Sequence, residues 1–161
     1  TDRLLSLYFD KIWGEGPQNF PHIRAALARD SGLSLERGLS ATAHQDNLAR
    51  LLAWLRRNLK GETKIKPNPH WKPQIERIRI GRKLKLETLL LDRLDAQLPP
   101  LLEPVIPDIR AQMAQIVARN KTVRPLPAED ILTDSLQAKI AEIYEKDLAA
   151  YAKACARWDA A

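Results

Sequence analysis

Residues 134–155 read DSLQAKIAEIYEKDLAAYAKAC, and their apolar side chains recur every three or four positions. Leu136, Ile140, Ile143, Tyr144, Leu148, Tyr151 and Cys155 share one helical stripe, and Asp147 lies on it too. Asp134 stands where an N-cap is expected, and Gln137 follows three residues later as in a capping box. The spacing predicts one long closing helix. Asp147 on an apolar stripe is costly to bury unless a basic partner or N–H donors satisfy it, so it reads as structural.

Working outward, Pro125 and Pro127 keep the preceding link extended. Pro107 to Arg119 reads as a helix, and so does Glu87 to Leu98, with Pro99-Pro100 as its stop. Residues 76 to 85 alternate loosely and fit one strand. The stretch from Lys64 to Gln74 holds Pro67, Pro69 and Pro73 and cannot be a regular helix. Before it, Ser40 to Lys60 places Leu48, Leu51, Leu52 and Leu55 on one face, and Gly61 ends it. Pro21 opens a short helix that stops at Ser31-Gly32. At the start of the chain, Leu4, Leu5, Tyr8, Phe9, Ile12 and Trp13 form a stripe ended by the Gly14–Pro17 turn. The chain therefore reads as mainly α with at most one strand. A lone strand makes no sheet, which points to pairing partners outside this sequence.

The 161 residues suit one domain or part of a larger one. The 26 basic residues exceed the 20 acidic ones by six, and the surplus is concentrated. Residues 56–85 hold eleven basic side chains against Glu62 and Glu76, a net +9, so the remainder carries −3. Such a field suits an anionic partner: a phosphorylated cofactor, an acidic glycan or nucleic acid. A solvated basic face with no partner fits the same count. Cys155 is the only cysteine, which excludes an internal disulfide and favours a reducing compartment. No apolar run approaches the length of a membrane span. The chain opens at Thr1 inside a helical pattern, as a cut would leave it.

Two stretches carry chemistry. On the first helix, the face left by the apolar stripe presents Arg3, Ser6 and Asp10; Arg3 and Ser6 lie in the first turn, where free N–H groups and the dipole favour an anion. The run Arg3-Leu4-Leu5-Ser6-Leu7-Tyr8 resembles the 3′-phosphate-binding segment of carbohydrate-type sulfotransferases that use 3′-phosphoadenosine 5′-phosphosulfate (PAPS). Arg3, Leu4, Ser6 and Tyr8 fall on matching positions of its Arg-x-Pro-x-x-Arg-Leu-x-Ser-x-Tyr pattern, while the leading Arg would precede Thr1. The second stretch, Asn68-Pro69-His70-Trp71-Lys72-Pro73-Gln74, is similar to the family's His-Trp-x-Pro-Gln segment. Tyr144, Asp147 and Tyr151 are similar to its closing signature. Gly81-Arg82 and Glu87-Thr88-Leu89 resemble the segment between, and Asn120-Lys121-Thr122 matches loosely.

The resemblance implies the helical C-terminal portion of a P-loop-like α/β fold and sulfuryl transfer from PAPS to a hydroxyl of a carbohydrate or other small acceptor. It implies that Ser6 and Arg3 meet the donor's 3′-phosphate, with His70 as a candidate base. The alternative for His70 and Trp71 is a structural loop with Trp71 in the core. No metal is expected, because His22, His44 and His70 show no ligand spacing. Cysteines that related animal enzymes carry after this motif are absent from Ile75 to Arg82, which fits a bacterial-type, cytoplasmic protein. The strand-loop-helix that receives the phosphosulfate has no counterpart here, so this chain alone is expected to be inactive. The rivals are a basic helical nucleic-acid-binding domain, although no helix-turn-helix or zinc pattern accompanies the charge, and a purely structural helical domain.

Overall fold

The computed structural model describes residues 2–15, 19–78, 88–115 and 124–159. Among them the chain is mainly helical, with no strand. It divides into two compact units, Thr1–Lys72 with Thr122–Glu145, and Pro73–Lys121 with Lys146–Ala161.

The first unit is built around α3 (Ala41–Leu59). Ser40 caps it by accepting the Ala43 N–H at 3.2 Å, and Leu48, Leu51, Leu52 and Leu55 are all buried. Against it pack α2 (Pro21–Ser31), α7 (Ala128–Ile131) and α8 (Asp134–Ile143). Pro21 starts α2 as expected, and Gly32 ends it in the left-handed conformation at φ 63°, where a Cβ would be strained.

The N-terminal helix changes character along its length. α1 (Asp2–Ser6) runs into a π-helical segment, Leu7–Trp13, whose wider turn brings Leu7 into the core beside the expected Leu4, Leu5, Tyr8, Phe9 and Ile12. Its end requires glycine for steric reasons. A Cβ on Gly14 would lie 2.1 Å from the Phe9 carbonyl oxygen.

Sequence expectation and structure part at α8. Thr133, not Asp134, is the N-cap, accepting the Leu136 N–H at 3.3 Å. The anticipated single closing helix is two. α8 ends at Tyr144, and α9 (Glu145–Asp159) begins there. Leu136 and Ile140 enter the core of the first unit, whereas Leu148 and Tyr151 on α9 are exposed. One stripe thus serves two units, and the helix breaks where its packing environment changes.

In the second unit α4 (Ile75–Ile78) is helical where a strand was expected to begin; residues 79–87 lie outside the described residues. Asp147 accounts for the helix. Its carboxylate accepts the N–H groups of Gln74 (2.7 Å) and Ile75 (2.9 Å), satisfying donors that a helix start leaves without partners. This supplies the N–H donors that its place on the stripe demanded.

The helix expected over 87–98 begins later, with a 3-10 turn at Leu91–Arg93 and then α5 (Leu94–Leu102). It continues through Pro99 and Pro100 instead of stopping. Proline obstructs the turn before it, and the turn after it remains free to close, as the Glu103 N–H does on the Pro99 carbonyl at 2.8 Å. α6 (Ile109–Ala114) falls within the expected 107–119 helix, whose end lies outside the described residues, as do Gly81-Arg82 and Asn120-Lys121-Thr122. Tyr151 donates to Asp92 at 2.6 Å, and the Trp158 indole donates to the Thr88 carbonyl at 3.0 Å.

Candidate functional site: the Arg3 helix and the His70–Trp71 loop

Three prolines keep residues 67–73 out of a regular helix, so the loop needs other partners for its backbone. Within the first unit it finds them. The Asn68 carbonyl accepts the N–H groups of Trp71 (3.1 Å) and Lys72 (3.0 Å), and the Asn68 side chain accepts the His70 N–H at 3.0 Å. Arg3 Nη2 donates to the carbonyls of Pro69 at 2.8 Å and Lys72 at 3.0 Å. Tyr144 Oη donates to the Trp71 carbonyl at 2.9 Å.

The two motif stretches, more than sixty residues apart in sequence, thus meet through Arg3. Trp71 is 1% exposed. Its indole N–H donates to Asn58 Oδ1 at 2.7 Å, and the Asn58 amide donates to Thr63 Oγ1 at 2.8 Å and the Ile65 carbonyl at 2.6 Å. Trp71 is therefore a core residue of the first unit, as the structural alternative anticipated. His70 stands exposed beside it, with its ring 5.2 Å from that of Phe20.

Ser6 and Arg3 lie on the same short helix, both half-buried. The Ser6 hydroxyl donates to Asp10 Oδ2 at 3.1 Å. For a 3′-phosphate at this place the fit is partial. Arg3 spends Nη2 on backbone carbonyls, leaving its Nε and Nη1 donors outside those bonds, and Ser6 must turn away from Asp10 to donate to a phosphate oxygen.

Sequence reading missed a second polar constellation. Tyr8 Oη and His44 Nδ1 are 2.8 Å apart, and Asn47 Nδ2 donates to Tyr8 Oη at 3.1 Å. Asn47 also exchanges two bonds with Ser34, accepting its N–H at 2.9 Å and donating to its carbonyl at 2.8 Å. His44 is surrounded by the rings of Tyr8, Phe9 and Trp13 at 4.9 to 5.7 Å. Burial lowers the His44 pKa from its usual value and pushes Tyr8 up to about 12, the Asn47 bond opposing the latter. The signal was present in the spacing: His44, Asn47 and Asn58 fall on the same α3 face as Leu48, Leu51 and Leu55. Buried polar residues on such a face must find partners. With Tyr8 wholly buried and His44 1% exposed, this cluster is part of the core and is closed to a substrate.

Of the basic stretch, Arg57, Lys60, Lys64 and Lys66 are exposed, and Arg56 pairs with Glu142 at 2.7 Å. Among the described residues no group of three His, Cys, Asp or Glu side chains could hold a metal ion, and no helix is long and apolar enough to cross a membrane. No protein-family model, curated protein or solved structure matches the chain.

Proposed function

We propose that this chain is the C-terminal, helical portion of a PAPS-dependent sulfotransferase with the P-loop-like α/β fold, acting on a hydroxyl of a carbohydrate or other small acceptor. Ser6 and Arg3 contribute the 3′-phosphate side of the donor site, and His70 is the candidate base. The observation that supports this is the pair of hydrogen bonds from Arg3 to the Pro69 and Lys72 carbonyls, because a shared site needs the two motif stretches in one place. The exposure of His70 beside the buried Trp71 agrees with it. The basic stretch over 56–85 supplies a positive field for the donor or an acidic acceptor.

The test is calorimetric titration with 3′-phosphoadenosine 5′-phosphate beside ADP, which lacks the 3′-phosphate. Binding that needs the 3′-phosphate and weakens about tenfold or more in Ser6→Ala is expected, the loss of a hydrogen bond to a charged group. Equal binding of both nucleotides, or of neither, ends the assignment of Ser6 and Arg3 to a 3′-phosphate site and leaves the parentage resting on motif resemblance alone. A purely structural helical domain is the second reading, favoured by the use of Arg3 and Tyr144 in holding the loop backbone and of Trp71 in the core.

A further inference from the structure

An exposed turn ordinarily satisfies its carbonyls with water, and anchoring one to distant side chains immobilises those side chains at an entropic cost. The 68–72 loop is anchored nonetheless. Arg3 holds the Pro69 and Lys72 carbonyls, Tyr144 holds that of Trp71, and Asn58 holds the Trp71 indole. Those partners lie 66, 69, 73 and 13 residues away in sequence, on three different helical segments of the first unit. His70 is an exposed side chain that this arrangement carries, next to exposed Pro69.

From this we infer that Arg3 and Tyr144 are positioning residues: they clamp the 68–72 backbone and thereby fix where His70 stands. The two N–H groups of Arg3 Nη2 reach carbonyls on either side of His70, so the guanidinium bridges the loop like a staple. Tyr144 fastens the carbonyl between them from the end of α8. Lysine holds the bridge less firmly, because its ammonium sits on a flexible stem with three rotatable donors, whereas the guanidinium presents its N–H groups in a fixed plane. The inference deepens the donor-site reading by giving Arg3 a task on the protein itself, and the clamp stands or falls independently of nucleotide.

The experiment compares wild type with Arg3→Ala, Arg3→Lys and Tyr144→Phe, without nucleotide. Amide hydrogen exchange is followed at His70, Trp71 and Lys72, whose N–H groups bond to Asn68. Carbethoxylation of His70 is followed with exposed His22 as internal control. Arg3→Ala is expected to speed the three amides about tenfold and to change the His70 modification rate, with α3 amides and His22 unmoved. Arg3→Lys recovers only part, and Tyr144→Phe acts mainly at Trp71. Unchanged exchange at all three amides in Arg3→Ala overturns the clamp, and so does acceleration spread equally through α3, which marks general destabilisation. Failure of wild type to bind 3′-phosphoadenosine 5′-phosphate, with the loop loosened as expected, removes the donor-site reading and leaves the clamp in place.

Discussion

At the residue scale, His44 shows how a core position becomes sensitive to pH. In the folded chain burial lowers its pKa, while in the unfolded chain it titrates near its usual 6.5. Below that pH the unfolded chain binds a proton more readily than the folded chain, so this contribution to stability is complete above about 6.5 and falls as pH drops through the window beneath it. Tyr8 acts at the other end. With its pKa pushed up to about 12, it keeps its proton when folded where the unfolded chain loses it from about 10, so stability also falls as pH rises through that range.

Denaturant unfolding from about pH 7.5 to about 5 should show a decline that is shallower in His44→Gln; equal slopes would remove His44 as its source. Tyr8→Phe should cost about 1–3 kcal/mol at neutral pH, because it leaves His44 Nδ1 and an Asn47 N–H without their buried partner. The pair was legible only in part. Helical spacing places His44 and Asn47 inward, but their partner Tyr8 lies on another helix, and nothing local to either stretch names it.

At the scale of the element, boundaries were the least legible feature. α2 and α3 follow their sequence signals closely, since Pro21, Gly32, Ser40 and Gly61 each act through local backbone chemistry. The cap of α8 does not, because Thr133 and Asp134 are both good caps and the choice depends on where the preceding α7 leaves the chain. Thermal or denaturant unfolding of two variants separates them. Thr133→Ala should lose about 1 kcal/mol, whereas Asp134→Ala at the first helical position should lose only about 0.3 kcal/mol of dipole interaction. The reverse order would return the cap to Asp134. Where the strand expected over 76–85 is described, at 76–78, the chain is helical for a related reason. A loose alternation of period two is a weak signal, and the carboxylate of Asp147, 72 residues away from Ile75, provides the acceptors that start a helix there.

At the scale of the whole molecule, burial is unequal. The main apolar cluster belongs entirely to the first unit, from Leu4 to Ile140, with Trp71 and Ile131 among its fully buried members. The described residues of the second unit bury Leu90, Gln97, Pro99 and Ile109, and α9 buries none. Apolar burial is the principal stabilising contribution, so the two units should not unfold together. Hydrogen exchange across a denaturant series is expected to open α5 and α9 before α3, and fluorescence, dominated by Trp13, Trp54 and Trp71 of the first unit, should report a later transition than far-ultraviolet dichroism. Superimposable curves would show a single cooperative unit.

Sequence by itself determined the helical character of this protein, the inward faces of α1, α3 and α8, and the exclusion of regular helix from the proline-bearing 67–73 loop. These follow from side-chain periodicity and backbone sterics, which act over a few residues. Tertiary structure alone decided that Arg3 meets the His70 loop, that His44 meets Tyr8, that Asp147 starts α4, and that one amphipathic stripe divides between two units. Each of those is a satisfied polar group or a change of burial across dozens of residues, set by which surfaces the packed helices bring together.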